Sequence, residues 1–211
     1  MTICLQLDHV NYSYGAAKIR VLSDVNADFE SGKMYAITGP SGAGKSTLLS
    51  LLAGLDAPSD GVVRFEGEDI AMTGYSKHRR EHVSLVFQDH NLIDYLTPEE
   101  NLRLVNPKAD MKILEDLGLS REESKRNIMH LSGGQRQRVA VGRALVAPGR
   151  AILADEPTGS LDPEMTDEVI DLLRHAAHQL GKCVIVVTHS KRVADSADAV
   201  YTLRHKKLAK A

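Results

Sequence analysis

One nonapeptide limits this chain more than any other part of it: Gly39-Pro40-Ser41-Gly42-Ala43-Gly44-Lys45-Ser46-Thr47. It has the spacing G-x-x-x-x-G-K-[ST]. The residues before it (34–38) read as a short buried strand, and those after it (48–53) as an apolar helix. The glycines allow a tight turn whose backbone N–H groups can face a common point, and the helix start adds partial positive charge there. Lys45 supplies a full charge and Ser46 a hydroxyl suited to a Mg²⁺ ion. A turn that only reverses the chain would not need Lys and Ser directly after its last glycine. The stretch predicts a phosphate-binding loop, and hence a nucleotide site.

With 211 residues, one domain with a small inserted subdomain is the expected organisation. A net charge of −2 gives no global field toward nucleic acid or anionic lipid. Trp is absent and aromatic residues make up 4%, so aliphatic packing must carry the core. Cys4 and Cys183 lie far apart in apolar, strand-like runs and are expected to be small buried hydrophobes. No apolar run approaches membrane-spanning length and the N-terminus has no leader pattern, so a soluble, cytoplasmic chain is expected.

Residues 3–10 alternate like an antiparallel strand, 11–15 read as a turn, and 25–29 as a further short strand. Tyr14 is a candidate to stack on an adenine ring, evenly matched by the reading of a Tyr packed under the sheet, and Tyr12 is the competing candidate. Residues 62–65 and 83–87 are strand-like, and the cluster His78-Arg79-Arg80 reads as a solvated helix face. Helical spacing then appears over 97–105, 111–117 and 121–129, with breaks at Pro107 and Gly118. Residues 89–131 are thus expected to be a helical insertion between two parts of a nucleotide-binding core, 1–88 and 132–211. Beyond it come a helix over 135–145, a strand over 151–155, a helix over 163–180 and a strand over 183–188. The strands are continuous apolar runs, as in a parallel sheet covered on both faces. The basic tail, 205–211, is expected to fray.

The strand at 151–155 ends in Asp155-Glu156, the second requirement of a Mg²⁺–ATP site. Asp155 would hold the metal, directly or through water, and Glu156 would orient and deprotonate an attacking water. Pro157-Thr158-Gly159-Ser160-Leu161-Asp162 follows at once.

Six motifs, the phosphate loop among them, together resemble the nucleotide-binding subunit of an ABC transporter nearly end to end. Besides the phosphate loop there are Leu131-Ser132-Gly133-Gly134-Gln135, Asp155-Glu156-Pro157-Thr158, Ser160-Leu161-Asp162, Gln88, and His189 within Val187-Thr188-His189-Ser190. The resemblance implies an α/β P-loop NTPase fold: a mostly parallel central sheet, an N-terminal antiparallel β subdomain and an inserted helical subdomain. It implies that Tyr14, rather than Tyr12, stacks on adenine, and that Gln88 contacts Mg²⁺ or the attacking water and couples the site to a partner subunit. Glu156 would be the catalytic base, and His189 would hold the γ-phosphate and the water. Lys45 would act on the β- and γ-phosphates, and Ser46, Gln88 and Asp155 would serve the metal. Two cassettes would close head to tail on two ATP molecules. Ser132, Gly133, Gly134 and Gln135 of one cassette, with Asp162, would then complete the other's site. Gly133 and Gly134 allow the close backbone approach this needs.

Residues 86–93 and 96–101 resemble the lipoprotein-release, macrolide-export and antimicrobial-peptide-export branch. That implies an ATP-hydrolysing motor bound to an integral-membrane permease at the inner face of the cell membrane. A homodimer is expected because two copies supply two complete half-sites, and no nucleic-acid partner is expected. The alternative is an ABC ATPase acting with soluble partners, as in iron–sulfur assembly. Three departures stand out. Only 43 residues separate Gln88 from Ser132, so the partner-facing subdomain is trimmed. Gly142 replaces the usual alanine of the signature helix, at a helix-propensity cost of about 1 kcal/mol. The turn between Leu203 and Leu208 lacks its usual glycine.

Overall fold

The chain was analysed as a computed structural model that describes residues 2–15, 18–87, 89–159 and 161–211. Gln88 and Ser160, both singled out above, lie outside the described residues.

Alternating burial along the first thirty residues builds an antiparallel ribbon of β1 (Ile3–Tyr14) and β2 (Ile19–Glu30), with Leu5 facing Phe29 and Tyr12 facing Leu22. The expected turn at 11–15 is instead strand through Tyr14, which pairs with Ile19. Its polar residues sit in the ladder because a bulge at His9 and Asp24, both at φ 51°, re-registers the pairing. For the same reason the second strand extends well beyond the expected 25–29. The chain next forms β3 (Met34–Thr38) and helix α1 (Lys45–Leu52). β4 (Asp60–Phe65) returns to the free edge of β1, and β5 (Glu68–Asp69) completes a four-stranded sheet of order β2-β1-β4-β5.

Two short turns, α2 (Ile70–Thr73) and α3 (Tyr75–Lys77), lead into a π-type turn at His78–His82. The solvated-face expectation fails here for His78, which is fully buried. Its Nε2 lies 2.9 Å from the Leu52 carbonyl at the end of α1, and its Nδ1 lies 3.3 Å from Nδ1 of His82. His82 in turn stacks on Phe65 at 4.2 Å. Arg79 reaches the Gly54 carbonyl, so two of the three cluster residues act within the fold. Burial, the nearby His82 and Arg79 hold the His78 imidazole below its ordinary pKa, against the raising effect of the Leu52 carbonyl. The unfolded chain therefore takes up a proton that the folded chain resists, and stability falls as pH drops below about 6.5, by at most about 1.4 kcal/mol per pH unit for this one group. Thermal melts from pH 8 to 5 should show His78→Gln losing less stability on acidification than the parent. Parallel pH profiles would remove His78 as the source.

β6 (Val83–Val86) opens the second sheet. After it come α4 (Pro98–Arg103), capped by a reciprocal Thr97–Glu100 box, and α5 (Lys112–Asp116). The helix expected over 121–129 is two 3₁₀ turns, Glu123–Lys125 and Ile128–His130. Ser120 and Asn127 side chains bond the backbone there and divide the segment. α6 (Gly133–Val146), β7 (Ala151–Asp155), α7 (Pro163–His178) and β8 (Cys183–Val187) follow, close to expectation, and a short α8 (Lys191–Asp195) comes after them. The tail does not fray. β9 (Ala199–Arg204) and β10 (Lys207–Lys210) form a hairpin, tied to β2 by the Ser23 N–H bond to the Lys206 carbonyl. Its turn residues His205 and Lys206 take the left-handed conformation, φ 49° and 68°, that glycine usually supplies.

The six strands order as β10-β9-β3-β8-β7-β6, all parallel except β10. Along β8, Cys183, Ile185 and Val187 face α1 and the antiparallel sheet, while Val184 and Val186 face α6 and α7. This is why the run is apolar throughout. Both cysteines are buried and free, as expected. Leu102, Leu114, Leu117 and Ile128 from the helical stretch join the second cluster against Val139, Val141 and Ala144 of α6. The packing accounts for Gly142: a Cβ there would stand 2.8 Å from Cδ1 of Leu117.

Candidate functional site

The phosphate loop, the Asp155-Glu156 pair and Thr188-His189 follow β3, β7 and β8, three adjacent strands. They therefore meet at one carboxyl edge of the sheet, where open α/β sheets form their ligand crevices. A cavity of about 740 Å³ opens there.

The loop's glycines earn their positions sterically. At Gly39 (φ 152°) a Cβ would lie 2.4 Å from the Leu203 carbonyl oxygen, and at Gly44 (φ 101°) 2.6 Å from Cγ1 of Val21. Gly44 caps α1 without a side chain, leaving the first-turn N–H groups open to an anion. Lys45 is 7% exposed, and its Nζ bonds the carbonyls of Gly39 (3.0 Å) and Pro40 (3.1 Å) and Nε2 of His189 (3.2 Å). Its ammonium thus has no carboxylate partner among the described residues.

Glu156 holds a left-handed backbone, φ 48°, at the end of β7, pinned by its N–H bond to the Val187 carbonyl (2.9 Å). Such a conformation in a non-glycine residue costs about 1–3 kcal/mol and is concentrated at functional sites. Its Oε2 accepts from the Thr188 hydroxyl and the His189 N–H, both at 3.3 Å. Its Oε1 is buried, 3.7 Å from Nε2 of His189, and accepts no hydrogen bond among the described residues. Lys45, His189 and Glu156 therefore form a row which, among the described residues, has a cation with no carboxylate partner at one end and a carboxylate oxygen that accepts no hydrogen bond at the other. Ser46, Thr47 and Asp155 line the same cavity, as do Ser41 and Gly42. Among the described residues no group of three His, Cys, Asp or Glu side chains forms a cage of its own. The donors present, Ser46 and Asp155, suit a Mg²⁺ ion that takes its remaining oxygens from a nucleotide and water.

The two tyrosines separate clearly. Tyr12 is buried and bonds Asp56, which pushes its phenol pKa up to about 12. Tyr14 is 49% exposed on the cavity wall, with its hydroxyl 2.9 Å from Oγ1 of Thr47. Ser132, Gly133, Gly134, Gln135 and Asp162 do not line this cavity. Ser132 and Gln135 cap α6 reciprocally, and Asp162 caps α7, so part of the motif chemistry is structural. Gly133 has no such reason, since a Cβ there would meet nothing.

The cavity also uses residues given no site role from the sequence: Val21 and Gln137, Asp89 and His90 from the stretch 86–93, and Gly159 from the run after Glu156. Gln137 does carry a signal. With Ala140, Val141 and Ala144 it falls on the i, i+3, i+4, i+7 stripe of α6, a polar residue in an apolar row.

A family model described as ABC transporter matches residues 22–159, more than half of the chain. The chain belongs to the ABC transporter family. It is 37% identical over 204 residues to the uncharacterized ABC transporter ATP-binding protein YclH of Bacillus subtilis, covering 92% of this chain and 90% of YclH. It is 38% identical over 219 residues to the macrolide export ATP-binding/permease protein MacB of Escherichia coli K12. That match takes in 97% of the cassette but 34% of MacB, so the cassette spans about a third of MacB's length. The dimeric structure of MJ0796, a bacterial ABC transporter cassette, matches with a TM-score of 0.89 and 33% identity over 98% of both chains. A second MJ0796 dimer, in a post-hydrolysis state with ADP and Pi, matches with a TM-score of 0.88 at 32% identity. The cassette is an ABC-type ATPase with the fold that its motifs implied. Among the described residues, no helix is long and apolar enough to cross a membrane.

Proposed function

We propose that the cassette is the hydrolytic motor of a membrane exporter or mechanotransmitter of the macrolide, lipoprotein or peptide type. In this reading two copies work together at the inner, cytoplasmic face of the membrane. The observation that carries the hydrolytic part is the row Lys45–His189–Glu156 with its free carboxylate oxygen. Glu156 takes the proton of the attacking water through Oε1, while Thr188 and the His189 N–H hold Oε2 still. Lys45 and the N–H groups around Gly42 and Gly44 bind the phosphates, His189 positions the γ-phosphate and the water, and Tyr14 offers its exposed ring to the adenine. Bound Mg²⁺ supplies charge neutralisation of the phosphates, and Ser46, Asp155 and Gln88 are the residues to hold it. Ser132, Gly133, Gly134, Gln135 and Asp162 complete the partner copy's site. The open surface at Gly133 supports this, because it permits backbone approach that the cassette's own packing does not require.

A membrane partner is supported by a groove of about 340 Å³ beside the helical stretch. Phe87, Leu104 and Val105 give it an apolar side, and Arg79, Arg80 and Arg143 a basic one. A short permease helix with acidic flanks fits that lining. The test is capture of tagged Glu156→Gln protein, with ATP, from detergent-solubilised membranes of the host, followed by mass spectrometry. Recovery of a permease with few spanning helices is expected. Recovery of soluble proteins alone would contradict the membrane role.

A further inference from the structure

Gln137 is 1% exposed, and neither Oε1 nor Nε2 of its amide has a hydrogen-bond partner among the described residues. Buried amides are nearly always paired, and cores that need only volume use an apolar side chain instead. Gln137 lines the nucleotide cavity together with Asp155 and Glu156. His90, from the turn after β6, borders the same cavity, and its Nε2 is likewise buried and without a hydrogen-bond partner among the described residues. The two residues are already linked through the backbone. Arg143, less than two turns beyond Gln137 on α6, donates to the carbonyls of Asn91 (2.8 Å) and His90 (3.5 Å). Both of those residues hold left-handed backbones, φ 49° and 63°. The turn after β6 and helix α6 thus form one unit, which presents two unsatisfied polar side chains to the cavity.

We infer that Gln137 and His90 are positioning residues of the hydrolysis reaction. Through water they bond the phosphate end of bound MgATP, and so tie α6, whose first residues are Gly133 and Gly134, to the loaded state of the cavity. This rests on the reading of the cavity as the MgATP site. Among the described residues the Gln137 amide and the His90 Nε2 have no hydrogen-bond partner to lose, so these groups serve the loaded protein rather than the empty one.

The test compares Gln137→Met, close in shape but without the amide, with the parent in the full chain. Without nucleotide, the melting temperature of Gln137→Met should equal or exceed that of the parent. Its rise on adding MgATP should shrink, and kcat should fall about tenfold or more, as for lost outer-shell partners of a metal site, with KM changing less. His90→Phe should lower kcat in the same way, and His90→Gln, which keeps a nitrogen near the Nε2 position, should restore most of it. A Gln137→Met protein with the parent's kcat and MgATP-induced shift would overturn the inference, and so would one that loses stability without nucleotide while keeping kcat. If the parent itself neither hydrolyses MgATP nor is stabilised by it, the reading of the cavity fails first and the inference goes with it.

Discussion

Replacing Glu156 by glutamine should cut MgATP turnover by about 10²–10⁴-fold while leaving nucleotide binding in place. The expectation comes from how the two carboxylate oxygens are used. Oε2 is held by the Thr188 hydroxyl and the His189 N–H, and a glutamine carbonyl can accept both bonds. The left-handed backbone at Glu156, anchored to the Val187 carbonyl, should therefore survive. Glu156 lines the cavity and its Oε1 has no hydrogen-bond partner among the described residues, and an amide nitrogen in its place cannot accept a proton. Phosphate release measured at saturating MgATP reads the effect directly. Turnover near the parent rate would move the base elsewhere, and His189, 3.7 Å away, would be the first candidate.

Lys45→Ala should be as damaging through a different cause. The ammonium is nearly buried, and carbonyls and a histidine nitrogen satisfy it without a neutralising carboxylate among the described residues. Its charge is therefore available to phosphate oxygens in a site of reduced dielectric, where a preorganised donor contributes most. Losing such a donor costs about 10²–10³-fold in turnover, and the MgATP-induced rise in melting temperature should largely vanish. Lys45 also spans the loop through its bonds to Gly39 and Pro40, so circular dichroism should accompany the assay. Turnover within threefold of the parent, in a folded variant, would refute the role. His189→Ala should lose hydrolysis too, since its Nε2 stands between Lys45 and Glu156.

What could be read from the sequence, and what could not, divides along physical lines. The phosphate loop, β7 and β8 were legible because few alternatives suit them. Only glycine fits at Gly39 and Gly44, and only continuous apolar residues fill strands packed on both faces. The motif residues Lys45, Ser46, Asp155, Glu156 and His189 were legible from chemistry and chain order, and they line one cavity. The C-terminal hairpin was not. Its second strand is Lys-Leu-Ala-Lys, where Lys and Ala have little preference for strands, and its turn runs through His205 and Lys206 where glycine would have marked it. His78 was unreadable because its burial depends on Phe65 and the end of α1, contacts distant in sequence. Arg121 to Met129 misled because its spacing is helical while Ser120 and Asn127 divert the backbone hydrogen bonds. The role of Gly142 emerges only once Leu117 is seen against it. His90 lies in the stretch 86–93, which marked a branch of the family and not a site role, and only the apolar row around Gln137 hinted at that residue.

The central claim is that hydrolysis by this cassette governs the closure of two copies around ATP. Size-exclusion chromatography with light scattering on Glu156→Gln tests it most directly. With saturating ATP the protein should elute at twice the 23.1 kDa of the chain, and it should return to the single-chain mass when nucleotide is removed. A variant that binds ATP, fails to hydrolyse it and still elutes at 23.1 kDa would contradict the account.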